Sequence, residues 1–73
     1  MIDVTMHDVS SMTIQSVGYD EGANILYVRF IGGAKYAYYD VSQYVYDELL
    51  DVNEPGTYVR EHLDDQYRHE KVE

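Results

Sequence analysis

The hydrophobic period of this chain changes once, at Asp40, and that change limits what the two halves can become. Before it, apolar and polar residues alternate. In "ILYVRFI", residues 25–31, Leu26, Val28 and Phe30 form one wholly apolar face, while Ile25, Tyr27, Arg29 and Ile31 form a mixed one. "SMTIQSVGY", residues 11–19, is rich in β-branched residues and runs into the turn-like "YDEGAN", so it predicts an earlier strand. Gly32-Gly33 then turns the chain into a third strand at about 34–39. After Asp40 the spacing becomes helical: Val41, Val45, Leu49 and Val52 share a face, with Asp40 or Ser42 available as the N-cap. Asn53-Glu54-Pro55-Gly56 breaks that helix, and Val59, Leu63 and Tyr67 predict a second one over about 57–68.

The expected fold is α+β: a three-stranded antiparallel meander with two C-terminal helices packed on one face, in the order β-β-β-α-α. Residues 1–9 are expected to be a flexible lead-in, 10–68 the folded domain and 69–73 a flexible tail. Seventy-three residues lie near the lower size limit for a core that is stable unaided, so both apolar sets must meet in one core. That core should contain Leu26, Val28, Phe30, Val45, Leu49 and Leu63.

With no cysteine, the chain has no disulfide framework, thiolate nucleophile or Cys-ligated zinc. "MIDVTMHDVSSM" has neither a basic leader nor an apolar h-region, and no apolar run reaches transmembrane length. A cytoplasmic protein with no membrane partner is the expectation. Charge narrows the partners further. Fourteen acids against five bases give −9, which disfavours nonspecific attraction to nucleic acid or anionic membranes. Residues 1–39 hold four acids and two bases; residues 40–73 hold the other ten acids with only Arg60, Arg68 and Lys71. The acidity thus belongs mainly to the helical half.

In order and spacing, Val9-Ser10-Ser11, Ile14, "VGYD" at 17–20, "L-x-V-x-F" at 26–30 and Gly33 form one set of markers. They continue with Tyr36-Ala37-Tyr38, Val41, "VYDEL" at 45–49, Gly56-x-Tyr58 and Tyr67. Together they resemble the KTSC domain, a small family found at the C-terminus of some lysyl-tRNA synthetases and as stand-alone short proteins. The resemblance covers roughly residues 9–68. It implies a module with a suggested role in RNA binding and no enzymatic activity.

The direction of the motif tyrosines Tyr36 and Tyr38 depends on the hairpin loop. A two-residue Gly32-Gly33 loop pairs Arg29 with Tyr36 and puts both rings on the mixed face, as a stacking platform. A three-residue Ile31-Gly32-Gly33 loop with Gly33 left-handed pairs Val28 with Tyr36 and Leu26 with Tyr38, sending both rings under the helices. The second arrangement is favoured, since it places a glycine where φ must be positive and gives tyrosine its commoner role at a core edge. The mixed face then holds Tyr27, Arg29, Lys35 and Tyr39, which makes these four the candidate ligand-binding residues for single-stranded RNA or a nucleotide.

Other candidates are weaker. His62 and His69, seven apart with Asp65 between, suit solvated helix positions better than a metal site. Asp47, Glu48, Asp51, Glu54, Glu61, Asp64 and Asp65 read as a solvated surface, or alternatively as an acidic patch that imitates phosphates and occupies a basic partner. No spacing selects a catalytic pair, so no catalytic residue, metal or cofactor is expected. Two functions remain: a non-catalytic module binding RNA or a nucleotide on the open sheet face, or an acidic protein-interaction module or inhibitor acting on a basic or nucleic-acid-binding protein.

Overall fold

The computed structural model describes residues 4–73. Its strands are β1 (His7–Asp8), β2 (Ile14–Asp20), β3 (Ile25–Phe30), β4 (Lys35–Tyr38) and β5 (His69–Lys71). They form one antiparallel sheet in the order β1-β2-β3-β4-β5, with each strand beside its neighbour in sequence. Between β4 and β5 the chain makes α1 (Gln43–Asp51), α2 (Pro55–Tyr58) and a π-helical turn, Val59–Leu63.

The central hairpin follows from the glycine pair. Phe30 N donates to Ala34 O at 2.8 Å and Gly33 N to Phe30 O at 2.9 Å, closing a three-residue loop with Gly33 at φ 107°. Val28 therefore pairs with Tyr36 and Leu26 with Tyr38. Both rings lie on the helix side, Tyr38 fully buried and Tyr36 packed at the core's margin. Ile14, Val17, Leu26, Val28, Val41, Leu49, Val59 and Leu63 join Tyr38 in the core, each no more than 1% exposed. Phe30 and Val45, expected inside, are half-buried and pack against it.

Two expectations need correction. The sheet has five strands where the sequence predicts three, because both flanks expected to be loose pair with its edges. Residues 7–8 of the lead-in pair with β2; residues 1–3 lie outside the described residues. Residues 69–71 of the tail pair with β4, and the ladder runs on to the terminus: Val72 N donates to Lys35 O at 2.7 Å and Lys35 N to Glu73 O at 3.1 Å. Backbone donors on the edge of β4 supply the reason, since any passing extended segment can satisfy them. "HEKVE" needs no apolar alternation to do so.

The second helix also differs. It starts earlier, with Pro55 in its first turn and Glu54 as the N-cap, and it ends at Leu63 rather than at Arg68. Its last turn is widened, with Asp64 N donating to Val59 O at 3.0 Å. Tyr67 consequently lies beyond the helix, although it still packs against the core. In α1, Ser42 is the cap, its hydroxyl accepting from Val45 N at 3.4 Å.

Candidate functional site

The "VGYD" marker shows how the sheet is tied to the helices. Val17 is a core residue, and Gly18 is required by close approach: a Cβ there would lie 2.7 Å from Thr5 O and 2.9 Å from Val4 Cγ1 and Met6 Sδ. Tyr19 donates its hydroxyl to Val41 O at 2.6 Å and stacks on Tyr46 at 5.3 Å. Asp20 Oδ1 accepts from Gly22 N at 3.1 Å and Ala23 N at 3.3 Å, which shapes the turn into β3.

Segment 10–13 is held in a similar way. Ser11 Oγ donates to Glu54 Oε1 at 2.5 Å and accepts from Thr13 N and Ile14 N, both at 3.1 Å. Glu54 also accepts from Met12 N at 3.1 Å and Gly56 N at 3.0 Å. The Ser11 hydroxyl, helped by those two amides, holds the Glu54 carboxyl below its ordinary value.

The four residues expected to bind a ligand come together on the sheet face away from the helices, but the chain itself engages them. Lys35 Nζ stands 5.1 Å from the centroid of the Tyr27 ring. Arg29 Nη2 lies 2.6 Å from Glu73 Oε1, and Lys35 Nζ lies 3.4 Å from Glu73 Oε2. Arg29 Nη1 also donates to Gly33 O at 2.6 Å. Bonding to Arg29, reinforced by the Lys35 charge, holds the Glu73 carboxyl low. Tyr39 donates its hydroxyl to Glu70 and carries the Arg68 guanidinium over its ring at 4.9 Å.

The acids divide into two groups. Glu48 accepts the Tyr58 hydroxyl at 2.7 Å and Asp64 accepts the Tyr38 hydroxyl at 2.8 Å, so these two, with Glu54, serve the fold. Burial and then the bond to Glu48 push the Tyr58 hydroxyl up to about 12. Burial and then the bond to Asp64 raise that of Tyr38 further. Asp47, Asp51, Glu61 and Asp65 remain exposed. On α1, Tyr44 is 72% exposed and Leu50 46% exposed, and the exposed Asp47 and Asp51 fall between them around the helix. The two histidines do not share a helix: His62 lies against Tyr58 at 4.7 Å, and His69 is in β5.

Sequence reasoning missed a cleft of about 480 Å³ between the β4–β5 edge and the end of the π turn. Phe30, Ala34, Tyr36, Tyr38, Asp64 and His69 line it. Tyr36 meets Phe30 edge-on at 5.7 Å, and His69 stacks on Tyr38 at 4.8 Å. The Tyr36/Tyr38 register pointed to one wall. The other is formed by β5, which carries no periodic signal.

A single antiparallel sheet tied to a short helical layer by tyrosine hydroxyls, with exposed acids outside, defines a small α+β domain. The family model for the KTSC domain matches residues 10–67, and the chain belongs to that family. It is similar to a curated protein of Tsukamurella paurometabola, 44% identical over 54 residues that span 74% of this chain and 81% of the relative. The crystal structure of a KTSC domain protein from Yersinia pestis shares the fold, with a TM-score of 0.89 at 22% identity. That match covers 97% of this chain and 100% of the other. Among the described residues no helix is long and apolar enough to cross a membrane.

Proposed function

We propose that this KTSC domain is a non-catalytic binding module that receives a basic partner protein on its helical side. The observation that carries the reading is the outer side of α1, where exposed Tyr44 and Leu50 stand beside exposed Asp47 and Asp51. The exposed ring and aliphatic side chain supply apolar anchors, and the acids between them supply charge for a basic partner. The charge balance supports the same direction. Both ion pairs among the described residues end on Glu73, which engages Arg29 and Lys35, while the acids of α1 have no ion-pair partner among those residues.

Titration with a lysine- and arginine-rich peptide tests this. Binding should weaken with salt, and it should weaken again when Tyr44→Ser and Leu50→Ser are combined, since apolar anchors add what charge alone does not. Equal affinity in the parent and the double variant would contradict the reading.

A second reading keeps single-stranded RNA or a nucleotide on the sheet face. Its support is the Glu73 carboxylate, held between Arg29 and Lys35 beside the Tyr27 ring, where a phosphate would suit the same donors. RNA binding that strengthens in Glu73→Gln would favour it over the first.

A further inference from the structure

The cleft at the β4–β5 edge combines aromatic faces with a carboxylate. Rings make up most of its lining: Tyr36 meets Phe30 edge-on, and His69 stacks on Tyr38. Among the described residues, Asp64 is its one formally charged lining residue. One carboxylate oxygen of Asp64 takes the Tyr38 hydroxyl at 2.8 Å, which leaves lone pairs on the other for an incoming donor. Lys71, opposite Tyr36 in the ladder, is exposed and does not line the cleft.

Aromatic faces attract cations through the ring quadrupole, and a carboxylate in the same wall adds attraction for a cation while repelling a phosphate. Among biological cations a guanidinium fits best: it is planar, stacks on rings, sheds water more easily than an ammonium, and forms directed bonds to a carboxylate. The chain's net charge of −9 favours such a group at long range. We propose that this cleft is a binding site for an arginine side chain of a partner protein, with the guanidinium against Tyr36 and His69 and bonded to Asp64. The site is separate from the α1 surface and shares with the reading above only the sign of the partner's charge.

The test is titration of isotopically labelled protein with N-acetyl-arginine methylamide. Its citrulline counterpart, of nearly the same shape without the charge, and adenosine monophosphate serve as comparisons. Saturable shifts at Ala34, Tyr36 and the His69 ring should appear with the arginine compound and be roughly fivefold or more weaker with citrulline. Asp64→Asn keeps an acceptor for the Tyr38 hydroxyl, and Tyr36→Leu keeps apolar bulk; with folded spectra, each should weaken binding by a similar factor. No shifts at tens of millimolar arginine compound, equal response to citrulline, or a preference for the nucleotide would each overturn the proposal. Shifts confined to α1 would overturn the cleft alone and leave the helical-surface reading standing; loss of cationic-peptide binding at α1, with the cleft still responding, would do the reverse.

Discussion

Glu54 is an exposed acid in sequence and a structural tie in three dimensions, bonded to Ser11, to the Met12 amide and to the Gly56 amide. Because those bonds favour its ionised form, the folded chain holds its proton less tightly than the unfolded one. Its stabilisation is therefore present above the unfolded value of 4.5 and lost as pH falls through the folded one. Glu54→Gln should narrow the difference in denaturant midpoint between neutral and acid pH; an unchanged difference would contradict the tie. Tyr58 works in the opposite sense. Its hydroxyl is raised from 10.0 to about 12, so its stabilisation is full below pH 10 and is lost as pH rises through 12. Tyr58→Phe should flatten the loss of stability in that alkaline window, as followed by denaturant midpoints on either side of pH 10.

Legibility in the sequence rises and falls with the apolar pattern. The register of the β3–β4 hairpin was readable because a one-residue slip would turn Tyr36 and Tyr38 to the other face, and Gly33 marks the positive φ that fixes it. Leu26, Val28, Leu49 and Leu63 were readable as core through their periodicity. β5 was not, because its pairing depends on the open edge of β4 rather than on its own side chains, and the cleft was hidden with it. Among the candidate site residues, the sequence placed Tyr27, Arg29, Lys35 and Tyr39 on one face but gave no sign that Glu73, Glu70 and Arg68 would reach them. The π turn has no spacing signature, so the end of the second helix was misplaced.

Leu49, the one fully buried side chain of α1, joins it to the sheet, so Leu49→Ala should cost about 2–5 kcal/mol, read by chemical denaturation. A variant as stable as the parent would contradict the packing of helix on sheet. The Lys35 amide, donating to Glu73 O at 3.1 Å, should exchange slowly in the intact chain and rapidly in one ending at Arg68. Rapid exchange in the intact chain would contradict the fifth strand.

Over the whole molecule the two halves differ in how their charges are placed. In the sheet, Glu73 engages Arg29 and Lys35 while Lys71 is exposed, and the helical half presents exposed Asp47 and Asp51 beside Tyr44 and Leu50. The long-range field of such a molecule repels phosphate, and lowering the salt strengthens that repulsion. The proposed arrangement thus separates a closed sheet face from a receptive helical one. Backbone amide shifts during titration with labelled single-stranded RNA and, separately, with a lysine- and arginine-rich peptide test that separation most directly. Shifts along α1 are expected with the peptide, and none over residues 25–39 with millimolar RNA. RNA shifts confined to residues 25–39 and abolished by Arg29→Ala would contradict that separation and make the sheet the ligand face.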